Sequence, residues 1–92
     1  MAFLTDDRDG TRVLVATGDL DLSNRADFAA AVDALDTGIR SIDMSGITYI
    51  DSTGLSVLLQ LAAKYDLCLI APSAHVISLL NRTGTMSMFN VS

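Results

Sequence analysis

The side chains of this sequence with chemical potential gather in one short polar stretch, Asp51-Ser52-Thr53-Gly54, between apolar runs that end at Ile50 and resume at Leu55. A carboxylate, two hydroxyls and a glycine before a leucine-rich segment have the composition of a helix N-terminus. There, side-chain oxygens accept from the unpaired N–H groups of the first turn. Used only as caps, Ser52 and Thr53 would have no further role. A hydroxyl at such an end is also held at the surface near the positive pole of the helix dipole, where a phosphate is well accommodated. The residues by themselves leave both readings open, a plain helix cap or a hydroxyl placed where a phosphate is accommodated.

Catalytic alternatives lack parts. Val13 to Asp21 has the strand-then-Asp-x-Asp order of aspartate-nucleophile phosphatases, with Asp19 and Asp21 as the pair. Those enzymes also need a metal and a lysine to neutralise phosphate, and the only lysine here, Lys64, falls late in the leucine-rich segment. Ser52 as a hydrolase nucleophile would depend on the single His75, and no Gly-x-Ser-x-Gly elbow is present. The expectation is no enzyme and no cofactor. One His and one Cys, without His-x-x-x-His or Cys-x-x-Cys spacing, supply no dedicated metal site.

Composition narrows the class further. Ninety-two residues, half of them hydrophobic, suit one small domain over residues 1–92 with a single core. The net charge is −5, and five arginines lie singly along the chain. Phosphate-backbone binding requires clustered cations, so no nucleic-acid partner is expected. No apolar run approaches a membrane span and no signal segment opens the chain, so no direct membrane insertion is expected. Cys68 lies in the apolar run Leu67 to Ile70, which reads as a buried, inert thiol in a reducing cytoplasm.

The elements that position the polar stretch follow from periodicity. Residues 2–6 and 12–17 read as strands joined by a turn at Asp7-Arg8-Asp9-Gly10. A helix from Ser23 to Leu35, capped by Asp21 or Ser23, places Phe28, Ala31, Val32 and Leu35 on one face, with Gly38 as its stop. Ser41 to Met44 is a short strand. After Gly54, Leu55, Leu58, Leu59, Ala62 and Tyr65 share a stripe that Val57 and Leu61 widen beyond an ordinary surface helix. Either another helix of the chain or a partner must cover Val57 and Leu61. The Leu55 stripe already suffices for the core, which points to their exposure and a partner-binding role. Leu67 to Ala71 is a strand closed by Pro72. Ser73 caps a helix with Val76, Leu79, Leu80 and Thr83 on one face, His75 exposed in its first turn and Gly84 at its end. Residues 86–91 supply a last edge strand. The order β-β-α-β-α-β-α-β implies an α/β fold with right-handed crossovers: a mostly parallel sheet of about five strands with one antiparallel edge.

Asp43-x-Ser45, a spacer and Ile50-Asp51-Ser52-Thr53-Gly54-Leu55 together resemble the signature of the STAS domain, the fold of bacterial anti-sigma factor antagonists. Thr17-Gly18-Asp19-Leu20-Asp21 resembles that family's Gly-Glu-Leu-Asp element, and Pro72 through Gly84 resembles its third helix with the following glycine. The resemblance implies phosphorylation of Ser52 by an anti-sigma factor serine kinase and reversal by a phosphatase. It further implies that the unphosphorylated form binds that kinase and frees a sigma factor. Asp21, Asp51, Thr53, Gly54, Val57 and Leu61 would then form the partner-binding surface around Ser52. STAS domains also serve as subunits of lipid-transporting ABC systems, in stress-signalling assemblies and in anion-transporter tails, which is the alternative. Members of the antagonist type usually carry a further helix after the last strand, and this chain ends at Ser92 without it. The apolar surface so left is expected to meet a longer chain, a partner or a second copy in a homodimer.

Overall fold

A two-residue turn starts the sheet. In the computed structural model, which describes residues 1–92, strand β1 (Ala2–Arg8) pairs antiparallel with β2 (Thr11–Leu20) down to Arg8 opposite Thr11. Asp9 and Gly10 alone make the turn, both at positive φ (52° and 80°). This is the left-handed geometry whose twist matches a hairpin, and Asp-Gly adopts it at least cost. Both strands are longer than the sequence pattern suggested, because cross-strand pairing carries the polar residues Asp6 to Arg8.

From β2 the chain steps one strand at a time across the sheet. Helix α1 (Arg25–Asp33) leads to β3 (Ile39–Ile50), α2 (Ser52–Lys64) to β4 (Asp66–Ile70), and α3 (Ala74–Arg82) with a short 3-10 turn to β5 (Asn90–Val91). The sheet order is β1-β2-β3-β4-β5, parallel from β2 onward. Right-handed crossovers that always step in the same direction place every helix on the same face. The core reflects this. Phe28 and Val32 of α1, Leu55, Leu58 and Leu61 of α2, and Val76 and Leu80 of α3 form one cluster with Leu14, Ile42, Met44, Leu67 and Leu69 of the sheet.

Several boundaries differ from expectation. Strand β3 is twelve residues long and reaches the polar loop directly. Helix α1 begins at Arg25 with Asn24 as N-cap, since Asp21 and Ser23 are used in the turn before it. The left-handed residue that redirects the chain after α1 is Asp36 (φ 50°), not Gly38. Only Asn90 and Val91 of the last run pair with β4.

The largest correction concerns Val57 and Leu61. Both are buried, 7% and 5% exposed, and belong to the core cluster. Val57 lies in the groove between α1 and α2 beside Ala26 and Ala29. Helix α1 therefore supplies the second layer, and the case for exposure of these two residues fails. The buried arc of α2 is Gly54, Leu55, Val57, Leu58 and Leu61, while Leu59 is rotated to the margin. Leu61→Gln is accordingly expected to cost about 2–4 kcal/mol of folding stability, read as a lower denaturant midpoint.

The face of the sheet away from the helices carries a second anchor. Arg8 Nη2 reaches across β2 to Asp43 Oδ2 at 2.7 Å, and Ser45 donates to Asp43 Oδ1 through its N–H (2.9 Å) and hydroxyl (2.7 Å). Burial pushes the Asp43 carboxyl upward. The Ser45 hydrogen bonds and the Arg8 guanidinium outweigh it, and the net pKa lies below the ordinary 3.8. A depressed carboxylate contributes its stability above the unfolded value and loses it as pH falls through the folded one. Wild-type stability should therefore drop below pH 3.8 by more than that of Asp43→Asn, when urea midpoints are compared across pH.

Candidate functional site

Two backbone approaches bring the acidic loop after β2 against the start of α2. The β2–β3 register pairs Asp19 with Tyr49 and Leu20 with Ile50, so the chain leaves both strands at the same level. The Asp51 N–H then donates to the Leu20 carbonyl at 3.4 Å. Gly54 closes the arrangement: a Cβ there would stand 2.3 Å from Leu20 O and 2.9 Å from Ile50 Cγ1. Its lack of a side chain is what lets the first turn of α2 press on the β2 loop.

The helix cap is Asp51. Its Oδ1 accepts from the Gly54 N–H at 2.8 Å, and its backbone carbonyl accepts from the Leu55 N–H at 2.9 Å. Ser52 is thus the first helical residue and not the cap; it is exposed, with its hydroxyl outside the capping bonds. A polar stripe of Ser52, Ser56, Gln60 and Lys64 continues from it along the solvent side of α2.

Asp21 lies in a depression shared with Leu22, Ser23 and Asp51. Its Oδ1 accepts from the Ser23 N–H (3.0 Å) and hydroxyl (2.7 Å), while its own N–H donates to Asn24 Oδ1 at 2.9 Å. Asn24 also donates to the Asp19 carbonyl, which ties the loop back to the strand end. The Asp19 carboxylate is engaged by the Thr48 hydroxyl at 2.7 Å. Thr53 faces the other side, in a groove with Arg25, Ala29 and Gln60. Gly54 is buried and contributes backbone alone.

Two site residues escaped the sequence reading. Leu22 is 63% and Tyr49 48% exposed, both at this end of the sheet. Tyr49 stacks on His75 with ring centroids 5.4 Å apart. An apolar residue at position 22, between Asp21 and Ser23, was the available signal, since nothing in the helix stripes requires it.

The phosphatase arrangement lacks its cation here. Lys64 stands in the last turn of α2 beside Asp33, at 3.3 Å, whereas Asp19 and Asp21 lie at the level of the first turn. The Asp33 carboxyl is held below its ordinary value, first by a hydrogen bond from the Tyr65 hydroxyl and then by one from Lys64. This pair anchors α1 to α2.

A model of the family described as "Mlab, STAS domain" matches residues 3–88. This chain is a STAS domain. No curated protein sequence matches it, and its similarity to solved structures lies in the fold. An anti-sigma factor antagonist from Mycobacterium paratuberculosis superposes with a TM-score of 0.84 at 22% identity, covering 98% of this chain and 83% of that one. The anti-sigma factor antagonist SpoIIAA in its unphosphorylated form gives 0.66 at 20% identity, covering 99% and 88%. The Bacillus cell fate determinant SpoIIAA in the phosphorylated form gives 0.59 at 19% identity, covering 99% and 91%. No helix of this STAS domain is long and apolar enough to cross a membrane.

Proposed function

We propose that this STAS domain is an anti-sigma factor antagonist whose partner binding is switched by phosphorylation of Ser52. The observation that carries the reading is the division of labour at the start of α2. Asp51 performs the cap, and Ser52 presents an exposed hydroxyl on the first helical residue. Similar folds have been solved for antagonists, one of them in a phosphorylated form. The unphosphorylated domain binds an anti-sigma factor serine kinase and so releases a sigma factor. That kinase moves a γ-phosphate to Ser52, and a phosphatase removes it.

The local electrostatics suits a switch. A phosphate on Ser52 adds about −1.5 to −2 charges next to Asp51, which shares a depression with Asp21. The helix N-terminus offsets part of that charge within the domain, so the fold tolerates it. A partner surface complementary to a neutral hydroxyl meets repulsion instead. With Val57 and Leu61 internal, the apolar contribution to this surface comes from Leu22 and Tyr49. The partner-facing set is then Asp21, Leu22, Tyr49, Asp51 and Ser52, with Thr53 turned into the α1–α2 groove beside it.

Incubation with the cognate kinase and ATP should add one phosphate to the wild-type protein and none to Ser52→Ala. Phosphate on Thr53 or Ser56 with Ser52 unmodified would overturn the assignment. Capture of a lipid-transport ATPase subunit, with no kinase bound, would move the domain to the alternative branch.

A further inference from the structure

All but one of the cationic side chains in this acidic chain have a structural use. Arg8 pairs with Asp6 and Asp43, Arg12 with Asp7, and Lys64 with Asp33. The Arg40 guanidinium lies 3.9 Å over the Tyr65 ring. Arg82 sits in the last turn of α3, where the helix dipole favours a cation. Arg25 is the exception. It is exposed, joins no ion pair and opens α1 at the positive end of that helix, where a cation opposes the dipole. The N-cap residue Asn24 makes no capping bond there, since its side chain is spent on Asp21 and Asp19. Asp27 belongs to the same turn, but residues two apart on a helix do not face each other. Natural chains break such local rules chiefly at functional positions.

The seam between α1 and α2 shows what Arg25 faces. Both helices start at the C-terminal edge of the parallel strands and run side by side in the same direction. Their last residues, Asp33 and Lys64, meet at 3.3 Å. One turn back along each helix, Ala29 is level with Gln60; a further turn back, Arg25 is level with Ser56. These four residues line one groove together with Thr53. The next position of the α2 polar stripe is Ser52, about 6 Å further on at 1.5 Å per residue. Helix α1, beginning at Arg25, has no residue opposite it. Helical side chains lean toward their own N-terminus, so Arg25 leans from the level of Ser56 toward that of Ser52.

We infer that Arg25 is the counter-ion of phosphorylated Ser52, closing the upper end of the α1–α2 seam as Asp33 and Lys64 close the lower. The inference rests on the phosphoacceptor reading of Ser52. A guanidinium binds phosphate through two parallel N–H···O bonds. The pair neutralises part of the added charge within the domain, next to Asp51, and holds the phosphate in one position.

The test installs phosphoserine at position 52 of the full chain during translation, so that no kinase is needed. Phosphorus NMR titration should place the second phosphate pKa about 0.5 lower in the wild type than in Arg25→Gln, with Arg25→Lys between them. The Arg25 Nε–H resonance should move when position 52 carries the phosphate. Alkaline phosphatase should release that phosphate about threefold faster from Arg25→Gln. Alkylation of Cys68 by N-ethylmaleimide at an unchanged rate shows that the fold persists. That thiol is half-buried, 3.9 Å from the Ser92 hydroxyl, and not enclosed as its apolar run suggested. Equal phosphate pKa values in the wild type and Arg25→Gln, or an unmoved Arg25 resonance, would overturn the pairing while leaving Ser52 as phosphoacceptor. Labelling of another residue by the kinase, located by mass spectrometry, would overturn the Ser52 reading itself and the pairing with it.

Discussion

Gly54→Ala is expected to destabilise the domain by more than about 3 kcal/mol, at the upper end of single-residue effects. In an exposed helix interior the same change would stabilise by about 1 kcal/mol, because alanine is the better helix former. Here the new methyl would meet the Leu20 carbonyl oxygen at 2.3 Å, and that atom is backbone, unable to rotate aside. Relief requires α2 to lift from the β2 loop, which breaks the Asp51 N–H to Leu20 bond and opens the Ile50 contact. Urea unfolding reads the result directly. A midpoint equal to or above that of the wild type would mean that the close approach is not needed for the fold.

Ser52→Asp is expected to lower affinity for the anti-sigma kinase by about thirtyfold, equivalent to about 2 kcal/mol. The substitution places one permanent charge where the phosphate would carry nearly two, next in the chain to Asp51, which itself shares a depression with Asp21. Folding should change little, since an acidic residue in the first turn of a helix is favourable and Ser52 provides no capping bond. Ser52→Ala removes the hydroxyl without adding charge and should retain binding within a few-fold. Calorimetric titration of both variants against one partner separates these outcomes. Equal affinities would show that charge at this position does not govern the interface.

The parts of the fold written in local chemistry were legible in the sequence. Asp-Gly at the hairpin, Ser73 and Gly84 at the ends of α3, and the Phe28 and Val32 stripe of α1, continued by Leu35 just past its end, each act through neighbours in the chain, and the structure places them accordingly. Asp21 was brought to this end only by the family resemblance; the structure puts it in one depression with Asp51 because parallel strands end at a common edge. What periodicity could not reveal was the rotation of α2. Five apolar positions facing the sheet and two facing sideways give the same pattern whether α1 or a partner covers the latter, and only the tertiary contact of Val57 with α1 decides it. The same limit hid Leu22 and Tyr49, which stand out only when the rest of the apolar residues have been accounted for. Cap identity failed for a related reason. Asp21, Ser23 and Asn24 are all competent N-caps, and the choice of Asn24 follows from its Asp21 and Asp19 hydrogen bonds across the turn.

The central claim is that one phosphate on Ser52 separates this domain from its partner, and the most direct measurement compares the two forms of the same protein. Unmodified and stoichiometrically phosphorylated wild type, with the site verified by mass spectrometry, are titrated into the anti-sigma kinase in the presence of ADP. The unmodified form should bind, and the phosphorylated form should bind at least tenfold more weakly while showing the same fold by circular dichroism. Equal or tighter binding of the phosphorylated form would contradict the account.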